Sequence, residues 1–370
     1  MAHLSPWPMG DPSVMAPVAE REELRTVLRK LLDEQATHDD VRKAAESERG
    51  YSESLWSLLH GDLGVGGMTM PESAGGAGFG LADLGVVLEE SGRALLCEPI
   101  AQTVVAGQAL AAAQSAAGVL ELLNAVTTGE LIAAVELGGS SRGLMVDGDS
   151  GAVSGSAPQV AYGAIADLLV TVAHDPEGAG LYVLDLRGAD VDRVPLRCLD
   201  STRPLAALTL RAVPALRLAG DGPELPRLRE LITVCTALEH VGMIDRLVST
   251  TREYLLTRNQ FGRPLGSFQA IKHRMADLAI DLERARSSAR YASAAWDDRA
   301  ADSPLAAAVA SAVCTDAVVR AAHEAIQLHG GVAFTWEHEA HFYLRRALGD
   351  EGRFGSARVA RARIAELVGV

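Results

Sequence analysis

The 370-residue sequence predicts an α+β chain that is mainly α, with an N-terminal helical domain at residues 20–130, a central antiparallel β-domain at 131–219 and a C-terminal four-helix bundle at 220–370. Three observations carry this. Apolar residues make up 48% of the chain and aromatics only 4%, an Ala-, Leu- and Val-rich mixture suited to helix-on-helix packing. Residues 268–296 place Phe268, Ile271, Met275, Leu278, Leu282, Ala285, Ala289, Ala292 and Trp296 at alternating spacings of three and four, a heptad-like seam expected to pack in a bundle. Residues 131–218 break instead into short β-rich runs parted by Gly, Asp and Pro. The length suffices for two or three packed subdomains.

In chain order, Leu24, Val27, Leu28, Leu31 and Leu32 predict an amphipathic helix over 20–33, and Leu55, Trp56, Leu58 and Leu59 a second over 51–63. The glycine-dense stretch 64–80 lacks the GxGxxG pattern or P-loop Lys of a phosphate cradle and reads as a turn. Helices follow at 81–94, at 100–117, so small and apolar that it should be buried on most sides, and at 120–127. Strands are expected at 132–135, 152–155, 168–173, 181–186 and 206–213. A long helix spans 226–258, with Leu231, Val234, Leu238, Val241 and Val248 along one side. Beyond the seam, Ser303-Pro304 reads as the N-cap and first turn of an alanine-rich helix that stops at Gly330-Gly331, and two helices at 337–348 and 356–368 close the chain.

A net charge of −14 argues against nucleic acid as a partner, since phosphate neutralisation needs a basic surface. Residues 1–19, with four prolines and no apolar core, read as a disordered leader rather than a signal peptide, and no apolar run looks long enough to span a membrane. Cys97, Cys198, Cys235 and Cys314 form no CxxC pair, as expected of reduced, buried thiols in a cytoplasmic protein. Arg345, Arg346, Arg353, Arg358, Arg361 and Arg363 crowd the C-terminal segment; a solvated basic helix face or a salt-bridged subunit contact is the simpler reading, a role beside ligand phosphates the other. His338 and His341 lie three apart and lack the four-residue spacing of a zinc-binding HExxH helix, so no metal site is expected.

The stretch 257–273, TRNQFGRPLGSFQAIKH, interrupts helical periodicity with Gly262, Pro264 and Gly266. Arg258 offers a five-donor fork suited to phosphate oxygens, Phe261 a flat apolar face, and Gln260 and Gln269 amides that donate and accept. Such a set suits a dinucleotide; a plain helix–helix connection with a solvated Arg is the alternative. This segment, together with QLHGG at 327–331 and FTWEH at 334–338, resembles the acyl-CoA dehydrogenase family. The resemblance covers nearly the whole chain after residue 20 and implies that family's three-part fold. It also implies FAD held across a subunit boundary by Arg258, Gln260, Phe261, Gln269, Gln327, Gly330 and Gly331, with His329 packing near the flavin. The implied reaction is α,β-dehydrogenation of an acyl-CoA thioester, with electrons leaving to an electron-transfer flavoprotein and the chain in a homo- or hetero-oligomer.

The catalytic base is not where the family keeps it. An ungapped count from the glycine pair lands on Phe354, with Glu351 reachable only through a small gap, and the family's other position, counted back from Phe261, lands on Ile232 followed by Thr233. Glu230 would face elsewhere on the helix and Glu239 is about 10 Å along it, so both read as helix surface or ion pairs. The family's substrate loop survives only as the remnant 136–141, and its Trp-Ile-Thr over the flavin ring appears as Gln159-Val160-Ala161. Contacts to the chain's own flavin look weakened while those offered to a neighbour's look intact. That asymmetry suggests half of a heteromer; a non-catalytic FAD-site-completing partner and a flavin-dependent monooxygenase of the same fold are the rival readings.

Overall fold

The computed structural model describes residues 4, 5, 8, 10–16, 18–138, 143–220, 222 and 224–370. Helix α1 (Ala19–Gln35) carries Glu20 and Glu22 in its first turn, where the helix dipole favours acids. Helix α2 (His38–Glu46) was not expected, because it buries only Val41 and Ala44 and so leaves almost no apolar period to read. Helix α3 (Glu53–Ser57) is capped by the Ser52 hydroxyl, which accepts from the Leu55 amide, and widens into a π turn at Leu58–Asp62. Helices α4 (Leu81–Arg93), α5 (Ile100–Ala112) and α6 (Val119–Thr127) follow, α5 nearly all buried as its composition requires.

The β region holds β1 (Ala133–Glu136), β2 (Met145–Val146), β3 (Val153–Ala161), β4 (Leu168–Asp175), β5 (Gly178–Asp185), β6 (Asp190–Leu196), β7 (Leu205–Val213) and β8 (Ala215–Ala219). They form one sheet in the order β6-β7-β3-β2-β4-β5-β8, with β1 paired to β4. The expectation of an antiparallel sheet is corrected: β1 and β2 both run parallel to β4. The chain reaches β4 only after returning through β3, and such a crossover sets parallel neighbours. Strands β6 and β8, which periodicity missed, are the two edges of the sheet. The mostly solvent-facing β6 carries Asp190, Asp192, Arg193 and Pro195, the residues that protect an edge from further pairing.

The C-terminal part continues with α7 (Glu224–Thr257), a small hairpin of β9 (Asn259–Gln260) and β10 (Arg263–Pro264), α8 (Gln269–Asp297), α9 (Ser303–His329), α10 (Ala340–Phe354) and α11 (Ala357–Val368). Ser303 is not the N-cap of α9; Asp302 is, with Pro304 inside the first turn. Apolar enough at 27 residues to cross a membrane by length and composition, α9 corrects the reading that no such run exists. Most of it is buried against α8, α10 and α11, so its apolarity is that of a core helix.

Two compact units emerge. One comprises Met1–Asp40, Leu81–Leu96 and Thr233–Val370, the other Val41–Gly80 and Cys97–Ile232. In the first, α4 and α7 touch backbone to backbone. A Cβ on Gly242 would lie 1.7 Å from the Glu89 carbonyl oxygen, and one on Gly92 would lie 2.0 Å from that of Glu239. This approach buries α7 on several sides and with it Glu239, which is therefore neither helix surface nor exposed. Beside the crossing, Glu90 accepts from Arg25 at 3.0 Å and from Arg29 at 2.7 and 2.9 Å, and Glu89 pairs with Arg290 at 3.2 Å. Within the described part of 1–19, a short turn spans Pro12–Met15 and the Gly10 amide donates to Tyr291 Oη at 2.8 Å.

In the second unit the core gathers Leu144, just before β2, with Val153, Val160, Leu169, Leu184 and Leu208 from the strands. Half-buried Arg193 donates to the carbonyls of Gly163, Ala164, Ala166 and Leu186, clamping the turn after β3.

Candidate functional site

Helix α7 ends at Thr257, and the chain turns back immediately. The Arg258 amide donates to Tyr254 O at 2.8 Å and its carbonyl accepts from Leu265 N at 2.9 Å, which closes the loop across the hairpin. Gln260 pairs with Arg263 and Asn259 with Pro264, leaving Phe261 and Gly262 as a two-residue turn. Both have positive φ, 54° and 76°, the pattern of a type I′ turn that ordinarily takes Asn-Gly. A Phe there costs about 1 kcal/mol of backbone strain. Nor does its side chain recover that by burial: Phe261 is 89% exposed, touching Phe268 edge to face at 6.1 Å while the Arg263 guanidinium lies 4.0 Å over the Phe268 ring. The turn holds a flat apolar ring outward from its own protomer.

The other expected residues lie in the same unit. Arg258, Gln260 and Gln269 are exposed, and Gln269 Nε2 lies 3.1 Å from His273 Nε2. Gln327 is exposed near the end of α9. Gly330 ends that helix at φ 69°, ψ −144°, a conformation that excludes other residues. A Cβ on Gly330 or Gly331 would meet no atom within 4 Å, so open backbone is what this pair presents.

What links the two motifs is a contact that sequence reading missed. Tyr254, one helical turn before Arg258, stacks its ring on His329 at 4.5 Å and directs its hydroxyl to the His329 carbonyl at 3.3 Å. His329 is buried, and its Nδ1–H donates to Ala325 O at 2.8 Å. The i, i+4 spacing from Arg258 was the available signal. Past the glycines, Phe334 and Trp336 are 75% and 57% exposed, and the Arg345 guanidinium stacks 4.8 Å over the Trp336 ring.

The rest of the C-terminal arginine cluster is not a uniform solvated face. Arg346 is buried and donates to Leu96 O at 3.0 Å, Arg361 pairs with Asp316, and Arg363 with Glu366 at 3.0 Å. At the vacant base positions, Phe354 is the half-buried last residue of α10, Glu351 lies three residues earlier, and Ile232 is half-buried on α7. Gln159 sits exposed at a register shift between β3 and β7, with Val160 and Ala161 buried beneath. Of the substrate-loop remnant, Glu136 is buried and accepts from Gly138 N at 3.0 Å; Gly139, Ser140 and Ser141 lie outside the described residues. Cys97, Cys235 and Cys314 are buried and Cys198 half-buried; burial pushes the Cys235 and Cys314 thiols well up, which keeps them unreactive.

An FAD fits these residues: a guanidinium for phosphate oxygens, an outward ring for a flat heterocycle, and open glycine backbone for close approach. Comparison with known proteins identifies the family. Residues 18–130 match the acyl-CoA dehydrogenase N-terminal domain and residues 233–369 the acyl-CoA dehydrogenase C-terminal domain. Acyl-CoA dehydrogenase IpdE2 of Mycobacterium tuberculosis is 36% identical over 95% of this chain and 98% of its own. Among solved structures, the Tcur3481-Tcur3483 steroid ACAD is 32% identical with a TM-score of 0.86, covering 95% of this chain and 98% of that one. The ChsE4-ChsE5 complex from Mycobacterium tuberculosis is 27% identical with a TM-score of 0.86, covering 96% and 98%. The chain belongs to the acyl-CoA dehydrogenase family, and by that membership it is an FAD-dependent oxidoreductase.

Proposed function

We propose that this chain is one subunit of a heteromeric acyl-CoA dehydrogenase, in which it grips the FAD of a homologous partner and that partner supplies the catalytic carboxylate. The observation that carries the reading is Phe261, strained into a left-handed turn and left 89% exposed, a geometry that is unfavourable for the chain alone. Arg258 would hold the pyrophosphate, Phe261 the adenine, Gln260, Gln269 and Gln327 the polar edges, and Gly330 and Gly331 would let backbone close on the dinucleotide. When bound, FAD supplies the hydride acceptor for the β-carbon of the acyl chain. Removal of the α-proton needs a positioned carboxylate, and an ungapped count sets Phe354 and Ile232 where the family keeps one, with Glu351 within reach only through a small gap.

Two further observations support an assembly. Phe268, Ile271 and Met275, the first third of the α8 seam, remain only half-buried within this protomer. Further along α8, an apolar groove of about 820 Å³ is lined by Ala279, Ile280, Leu305, Val309 and Val313. A second subunit would cover both. The substrate class follows the steroid ACAD relative: a CoA thioester of a bulky polycyclic acid, with electrons passed to an electron-transfer flavoprotein.

The test is expression of the chain alone and together with a homologous dehydrogenase subunit, followed by flavin absorbance, assembly mass and acyl-CoA-dependent dye reduction. Flavin and activity are expected only in the mixed assembly. A yellow, active homo-oligomer of this chain sinks the paired-subunit reading, and oxygen uptake without acyl-CoA would point to the monooxygenase alternative.

A further inference from the structure

We propose that His329 and His338 form a proton-operated latch on the segment bearing Gly330 and Gly331, so that acidification loosens the backbone that contacts the cofactor. The inference rests on the FAD reading above and adds its regulation. The two rings meet edge to face at 4.5 Å. His329 carries its proton on Nδ1, because that atom donates to Ala325 O. His338 is the opposite case: its Nδ1 accepts the amide of Ala340, the first residue of α10, at 3.1 Å. A nitrogen that accepts cannot bear the proton, so an imidazolium at 338 loses this cap. It would also set a positive charge at the positive end of the α10 dipole and against the ring of His329.

The surroundings favour the neutral rings. Burial, then the neighbouring His329, lowers His338; burial, then Arg345, lowers His341. His341 stands in the first turn of α10, with its buried Nδ1 unpartnered and its ring 5.3 Å from Trp336. From α2, His38 Nε2 lies 3.4 Å from the Trp336 carbonyl, and its ring lies 5.2 Å from Phe342. Glu339 pulls His338 the other way, but Arg246 from α7 engages both its oxygens, at 2.8 and 3.0 Å. Tyr254 covers the remaining face of His329. Because the folded state prefers both lowered imidazoles neutral, its hold on the segment is complete above the ordinary imidazole range and is lost as pH falls through it.

The test is hydrogen exchange of residues 330–341, corrected for intrinsic rates, between about pH 7.5 and about pH 5.5, with free flavin measured on the same holoprotein samples. The wild type should lose protection on acidification and shed flavin in parallel. His338→Asn keeps a cap acceptor without a titrating proton, and should lose neither protection nor flavin; His338→Ser serves should Asn not fold. Equal acid opening in wild type and variants, or none in wild type, overturns the latch. Opening without flavin release overturns its link to the cofactor. A protein that never carries flavin overturns the FAD reading, while exchange still decides the latch.

Discussion

Tyr254 and His329 are 75 residues apart in sequence, yet their rings stack at 4.5 Å and the Tyr254 hydroxyl donates to the His329 carbonyl at 3.3 Å. One residue roots the turn that presents Phe261, the other precedes the glycine pair. The two halves of the candidate cofactor surface are thereby held as one body.

Removing that link should show in cofactor retention before stability. Tyr254→Phe deletes one hydrogen bond and keeps the stack, costing about 0.5–1.5 kcal/mol. Tyr254→Ala removes both, so flavin occupancy in the assembled protein should fall in the order wild type, Phe, Ala, with absorbance per subunit as the readout. Equal occupancy in all three would deny Tyr254 a positioning role.

At Phe261 stability and function should move in opposite directions. Phe261→Asn places a residue suited to the left-handed turn and should stabilise the isolated chain by up to about 1 kcal/mol, read as a rise in Tm. The same change should weaken flavin binding in the assembly, because the exposed ring is gone. A variant less stable than wild type would mean that the strain argument is mistaken.

The α4–α7 crossing tolerates no side chain. Gly242→Ala would drive a Cβ into the Glu89 carbonyl at 1.7 Å, forcing the helices apart at a cost of about 1–3 kcal/mol or more. Denaturant titration should show a lower midpoint, while Gly331→Ala, which meets nothing within 4 Å, should leave the midpoint unchanged.

Acid should also weaken the second unit through His60. Burial lowers this imidazole from 6.5 to about 4, while Nδ1–H donates to Trp56 O at 3.3 Å and the ring stacks on Trp56 at 3.7 Å. A folded pKa below the unfolded one means stability that is complete above pH 6.5 and lost as pH falls toward 4, about 3 kcal/mol in all. His60→Gln should flatten that stretch of the stability profile; an unchanged slope would assign the acid sensitivity elsewhere.

The residues that build helices could be read in order because each helix repeats its apolar face within a few turns. The α8 seam, the stop at Gly330 and the punctuation of the 257–273 loop are local patterns of this kind, and family membership followed from two such motifs. Helix α2 and strands β6 and β8 escaped notice for the converse reason, since two buried residues or a charged edge strand leave little periodicity. Sequence by itself therefore determined the family, the order of helical and β segments and the side chains suited to a dinucleotide. Tertiary structure alone decided that Glu239 and Arg346 are buried, that β1 lies parallel to β4, that Phe261 is strained outward and that Tyr254 meets His329. Those outcomes depend on which distant backbones approach closely enough to exclude water, and no local pattern encodes that distance.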